Sequence, residues 1–270
     1  MISGKQRKMG RLIGADGRTL LVAVDHSVTT GAQGGLADMG AVLRSVVAGG
    51  ADGVVTHRGS AMRAMPVQRT TALLIHLSGN TSLSTQAELK VRVCDPEAAL
   101  AAGADAISVH ITLGCGHEED RRGLADLGRV ALTCDRLGLP LLVMTYVRAA
   151  PELQGTAVLH AARVAAELGA DIVKTAHPGA EHLPELAASI DIPVVIAGGE
   201  QAGVTWAEFL DSARSIITAG LAGLCVGRRV FGSADPEMAV TELREVVHGE
   251  TMPVAHRLTQ APLASSRAVG

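Results

Sequence analysis

The chain contains only four lysines. Lys5 and Lys8 lie at the amino terminus, Lys90 stands further on, and Lys174 interrupts the apolar run Ile172-Val173-Lys174-Thr175. Side chains alternate faces along a strand, so Lys174 shares a side with Ile172 and Ala176. One reading is a stem that snorkels out of a strand end. The other is a buried amine, and burial disfavours the ammonium and predicts a lowered pKa. At the ordinary lysine pKa only roughly one amine in 2,500 is neutral at pH 7. A drop of about three units makes a usable nucleophile, at about 4 kcal/mol of folding stability. An amine of that kind attacks a ketone carbon to form a Schiff base.

Other candidates stand at the ends of apolar runs. Asp25 and His26 close Ala23-Val24-Asp25-His26; the carboxylate could move protons or orient a hydroxyl, or it could cap a helix. Tyr146 is the only tyrosine and could exchange a proton with a substrate or anchor a loop. Gly198-Gly199 and Gly227-Arg228 each follow an apolar run, where backbone N–H groups and a guanidinium suit a phosphate. Ser78-Gly79-Asn80-Thr81 is a weaker polar loop of the same kind. His26, His57, His76 and His110 also end such runs, which invites a metal centre. They lack His-x-His or His-x-x-x-Asp spacing, and no carboxylate accompanies the last three, so hydrogen-bonding or packing histidines, and no metal, are expected.

Residues so placed need a scaffold that brings strand ends together. One phrase recurs: Ala48-Gly-Gly-Ala-Asp-Gly-Val-Val, Ala102-Gly-Ala-Asp-Ala-Ile-Ser-Val, Leu168-Gly-Ala-Asp-Ile-Val-Lys and a worn copy, Ala219-Gly-Leu-Ala-Gly-Leu-Cys-Val. Each reads as a helix ending at a glycine cap, followed by a short strand. Short apolar runs predict eight strands: 20–25, 53–57, 72–76, 106–110, 140–146, 171–175, 193–197 and 223–226. Helical stretches such as 123–137 and 155–168 lie between them. Alternating buried strands and helices predict a single α/β domain, a closed (β/α)8 TIM barrel, with its site at the carboxyl ends of the strands. No Gly-x-Gly-x-x-Gly follows the first strand, which weakens a dinucleotide-binding sheet. Residues 1–18 read as a segment closing the barrel bottom, 19–252 as the barrel and 253–270 as a loose tail.

Composition agrees. Hydrophobic residues make up 47%, charged residues 19% and aromatics 1% of 270 residues, so the core must be aliphatic. A net charge of −3 without a basic run argues against nucleic acid. Lys5–Lys8 reads as a solvated terminus, and no apolar run approaches the roughly twenty residues that cross a bilayer. Cys94, Cys115, Cys134 and Cys225 form no Cys-x-x-Cys pair, and reduced thiols in a cytoplasmic protein are expected.

With Val24-Asp-His, Ile75-His-Leu-Ser-Gly, Gly103-Ala-Asp-Ala-Ile-Ser-Val-His, Leu168-Gly-Ala-Asp-Ile-Val-Lys-Thr, Val195-Ile-Ala-Gly-Gly and Val226-Gly-Arg in order, the chain resembles the archaeal-type class I aldolase family. The resemblance runs from about Leu20 to Phe231. It implies Schiff-base chemistry on Lys174 with no cofactor, Tyr146 as acid/base, Asp25 assisting proton transfer, and phosphate on the Gly198–Gly199 and Gly227–Arg228 loops. His26, Ser78 and Arg148 join the expected substrate contacts. Small phosphorylated ketones and aldehydes are the implied partners, and homo-oligomeric rings, commonly decamers, the implied assembly. The family's sugar aldolases tend to read Trp-Ala-Tyr-Pro-Arg-Gly where this chain has Met144-Thr-Tyr-Val-Arg-Ala. That difference resembles the branch that takes aspartate semialdehyde, with dihydroxyacetone phosphate as donor. A 2-amino-3,7-dideoxy-D-threo-hept-6-ulosonate synthase and a fructose-bisphosphate aldolase are the related alternatives. A non-covalent phosphosugar isomerase or epimerase is the alternative of another class.

Overall fold

The computed structural model describes residues 3–68, 70–84, 90–199 and 203–249; the expected tail at 253–270 lies outside them. In chain order the strands are β1 (Thr19–Ala23), β2 (Gly53–Thr56), β3 (Ala72–His76), β4 (Ser78–Gly79), β5 (Val91–Arg92), β6 (Ala106–Leu113), β7 (Leu141–Val147), β8 (Ile172–Thr175), β9 (Val194–Ala197) and β10 (Gly223–Val226). Eight of them close a parallel barrel in the order β1-β10-β9-β8-β7-β6-β3-β2, as expected. The helices are α1 (Gly4–Leu12), α2 (Ser27–Thr30), α3 (Met39–Ala48), α4 (Arg58–Ala64), α5 (Pro96–Ala101), α6 (His117–Leu137), α7 (Gln154–Glu167), α8 (Leu183–Ser189), α9 (Trp206–Thr218), α10 (Arg228–Phe231) and α11 (Pro236–His248). No helix among the described residues is long and apolar enough to cross a membrane.

The two-residue period divides each strand between two cores. Leu20, Val22, Val54, Val109, Val143 and Val173 pack outward against the helices. Leu21, Ala23, Val55, Leu74, Leu142, Met144, Ile172, Val195 and Cys225 fill the lumen. By the same parity Asp25, His57, His76, His110, Tyr146 and Lys174 continue the inward-facing sets toward the carboxyl end. Gly223 lets β10 close against β1: a Cβ there would meet the Thr19 carbonyl oxygen at 1.9 Å.

The aspartate of the recurring phrase proves to be a fastener between neighbouring strands. Asp52, Asp105 and Asp171 accept the backbone N–H groups of Leu20, Leu73 and Leu141 at 2.7, 3.0 and 2.8 Å. Each is also paired with a cation. Arg11 meets Asp105 at 2.6 Å and Lys5 meets Asp171 at 2.8 Å. Lys5 also reaches Asp135, and Lys8 donates to the Gly138 carbonyl at 3.2 Å. The basic terminus is therefore anchored on the barrel bottom, not a free solvated stretch, and Leu12 of α1 is buried within the lumen cluster.

His248 bridges Asp16 and Asp52 at 2.7 and 2.8 Å. Burial disfavours its charge, but these two carboxylates outweigh burial and hold its pKa above the ordinary value. The stabilisation is complete below the unfolded-state pKa near 6.5 and is lost as pH rises through the raised value. Unfolding free energy is thus expected to fall through this group as pH rises from below about 6.5 through the raised value. Denaturant titrations should show a smaller fall in His248→Gln; an equal fall would remove His248 as its cause.

Two local expectations change. Helix α6 begins at His117, earlier than residue 123, because Glu118, Glu119 and Asp120 favour its first turn. Ser78 and Gly79 are not a free loop but pair antiparallel with Val91–Arg92, and Arg92 ties this ribbon to Asp126 of α6 at 3.4 Å.

Candidate active site

Strand β8 turns Ile172 and Lys174 inward, and Lys174 is only 6% exposed. Met144 on β7 and Val195 on β9 are its register partners. Cys225 from β10 accepts a hydrogen bond from its amine, and Tyr146 and Asp25 lie within electrostatic reach. Burial works against the ammonium, but Cys225, Tyr146 and Asp25 outweigh it and hold the pKa above the ordinary lysine value. This corrects the expected lowering: the cavity that buries the amine is not purely apolar but supplies acceptors and a carboxylate. Burial pushes the Cys225 thiol itself up, so near pH 7 the thiol is protonated and Asp25 is the carboxylate that faces the ammonium.

Asp25 follows β1 and is 8% exposed. Its oxygens lie 3.4 Å from His26 Nδ1 and 3.6 Å from His76 Nε2. Burial would raise its pKa, but His76, His26, Lys174 and Lys90 prevail and hold the carboxyl well below the usual range. Burial in turn pushes His76 down to about 3 and also lowers His26. At neutral pH both imidazoles are therefore uncharged, and the cations facing Asp25 are Lys174 and Lys90.

The four strand-end histidines have separate tasks. His76 Nδ1 shares a proton with Ser108 Oγ at 2.9 Å, and the His57 ring packs edge-on against it. His110 Nε2 bonds Thr112 Oγ1 at 2.7 Å. His26 packs against Phe231 with ring centroids 5.2 Å apart. Among the described residues no group of three or more His, Cys, Asp or Glu side chains could hold a metal ion.

Tyr146 stands one inward position closer to the mouth than Met144. Its ring stacks on His110 at 4.6 Å, and the residue is 43% exposed at the rim of the barrel. Arg148, further along, is exposed, and its N–H donates to the Leu113 carbonyl at 2.9 Å. Gly198–Gly199 and Gly227–Arg228 end the neighbouring strands β9 and β10, so their loops lie side by side. Gly227 must be a glycine, because a Cβ there would meet the Ala23 carbonyl oxygen and His26 Cε1, each at 2.7 Å. Arg228 opens α10 and is exposed.

Ser78 lies elsewhere. Its hydroxyl accepts the His110 N–H at 3.0 Å, beside β3 and β6, across the ring from β9 and β10. There Ser78, Lys90, Arg92, His110, Thr112 and Glu119 help line a cavity of about 540 Å³. Lys90 is a site residue that sequence reasoning missed, for it follows no apolar run. Cys225 was legible through strand parity: it lies two residues beyond inward Gly223.

Comparison with known proteins matches residues 19–233 to the model of the DeoC/LacD family aldolases. The 2-amino-3,7-dideoxy-D-threo-hept-6-ulosonate synthase of Halobacterium salinarum is 39% identical over 256 residues, 94% of this chain and 95% of that protein. The 2-amino-4,5-dihydroxy-6-oxo-7-(phosphonooxy)heptanoate synthase of Streptomyces griseus is 35% identical over 237 residues, 86% of this chain and 85% of that protein. A solved Schiff-base-forming fructose-1,6-bisphosphate aldolase superposes with a TM-score of 0.81 at 28% identity, covering 90% of this chain and all of that one.

Proposed function

From the premise that this chain belongs to the DeoC/LacD aldolase family, we propose that Lys174 forms a Schiff base with dihydroxyacetone phosphate and joins it to aspartate semialdehyde. At the coarser level the chain is a class I aldolase, a carbon–carbon lyase. The observation that carries the Schiff-base reading is a buried amine facing one carboxylate inside the barrel mouth, with a phenol at its rim and paired glycine loops beside it.

Donor phosphate sits against the Gly198–Gly199 and Gly227–Arg228 loops, which places the ketone carbon toward Lys174. The resting ammonium first gives up a proton; the free amine then attacks the carbonyl, and loss of water leaves an iminium. This cation draws electrons from the neighbouring hydroxymethyl carbon, which loses a proton to give an enamine. Tyr146 and Asp25 carry protons in these steps, since both face the amine and only Tyr146 reaches the rim. The enamine carbon attacks the aldehyde, the new alkoxide takes a proton, and water hydrolyses the imine to free Lys174. The product has phosphate at one end and an amino acid at the other, as the name of the Streptomyces griseus relative also has it. Met144 beside Lys174, where sugar aldolases tend to carry Trp, favours this acceptor over a sugar phosphate.

Borohydride reduces an imine to a stable secondary amine. Wild-type protein treated with dihydroxyacetone phosphate and borohydride is expected to gain the mass of the reduced donor on Lys174, and Lys174→Ala to gain none. Equal labelling of both proteins, read by peptide mass spectrometry, would remove Lys174 from this role.

A further inference from the structure

We infer that Lys90 and Glu119 form the subsite for the amino-acid end of the acceptor, Lys90 taking its carboxylate and Glu119 its ammonium. The inference rests on the donor and acceptor reading above and goes beyond it in assigning the second anion of the product to a place.

Ring order sets the geometry. The glycine loops assigned to phosphate follow β9 and β10, while β3 and β6 stand across the barrel from them. With the ketone carbon at Lys174 on β8, a condensed product extends from one rim toward the other. The cavity beside β6 and the β4–β5 ribbon lies on that far side, and its 540 Å³ accommodates a four-carbon amino acid.

The charges lining this cavity are mostly committed. Arg92 pairs with Asp95 and Asp126 at 3.6 and 3.4 Å. Arg121 and Arg122 both pair with Glu118, at 3.0 and 2.7 Å. Arg129 lies 4.0 Å from Asp126. Among the described residues Lys90 and Glu119 make no hydrogen bond or ion pair; the carboxylate within electrostatic reach of Lys90 is Asp25, which it shares with Lys174. They are one cation and one anion on the wall of the same cavity, both partly buried. A zwitterionic ligand end satisfies both at once, whereas a second phosphate would satisfy Lys90 and be repelled by Glu119. Ser78 and Thr112 hydroxyls on the same wall supply further neutral contacts.

The test compares acceptors on the full chain with dihydroxyacetone phosphate as donor. The probes are aspartate semialdehyde, 4-oxobutanoate, which lacks only the amino group, and propanal, which lacks both charges. In Lys90→Met the ratio of kcat/KM for aspartate semialdehyde over propanal is expected to fall about 10- to 100-fold, mainly through KM, with partial recovery in Lys90→Arg. In Glu119→Gln the ratio for aspartate semialdehyde over 4-oxobutanoate is expected to fall about 10-fold. Borohydride trapping with donor alone separates the levels of failure. Wild-type protein that is not trapped overturns the Schiff-base reading and this inference with it. Proteins that are trapped while both ratios stay at wild-type values overturn this inference alone.

Discussion

Lys174→Met is expected to lower kcat for condensation by on the order of 10⁵-fold, the scale on which removal of a covalent nucleophile acts. The loss is chemical, not structural. Methionine occupies similar volume beside Ile172, Leu142 and Met144 in the lumen, and Lys90 remains as a cation facing Asp25. Asp25 keeps its contacts with His26 and His76 at 3.4 and 3.6 Å. The thermal midpoint should therefore shift by only a few degrees while turnover vanishes. A folded Lys174→Met protein that turns over within tenfold of wild type would favour a proton-transfer isomerase on the same barrel, which needs no amine nucleophile.

Much of this arrangement was legible because barrels express two simple periods. The glycine-capped phrase at residues 48–55, 102–109 and 168–174 marks helix-to-strand joints, and inward parity then assigns Asp25 and Lys174 to one cavity. The phrase's aspartates were harder to interpret. An aspartate after a helix cap suggests a turn residue, and only the closed sheet shows that Asp52, Asp105 and Asp171 bond the first N–H groups of neighbouring strands. The β4–β5 ribbon has two residues per strand, too few for any periodicity to register. Lys90 directly precedes that ribbon's second strand and comes to the mouth through tertiary folding alone. The direction of the Lys174 shift was illegible for a related reason. Burial could be inferred from the strand itself, but Cys225, Tyr146 and Asp25 arrive from β10, β7 and the end of β1.

Those partners give Asp25→Asn two separable effects. The carboxylate favours the Lys174 ammonium, so its removal lowers the amine's pKa, and imine formation becomes possible at lower pH. The acid limb of the rate of donor trapping should move toward lower pH. On the proposed mechanism the same substitution removes a proton carrier, and kcat for condensation should fall by roughly 10²- to 10⁴-fold. The two effects oppose each other at acid pH and add nothing to each other at alkaline pH, which makes the pH profile diagnostic. Neutral His26 and His76 cannot replace the carboxylate, since burial keeps both imidazoles below their ordinary values and loss of Asp25 removes the charge that raises them. Rapid-quench borohydride trapping from pH 5 to 9, set beside steady-state kcat, measures both quantities on one protein. An acid limb that stays in place, or moves upward, would show that Asp25 does not hold the Lys174 proton. An undiminished kcat would show that it carries none.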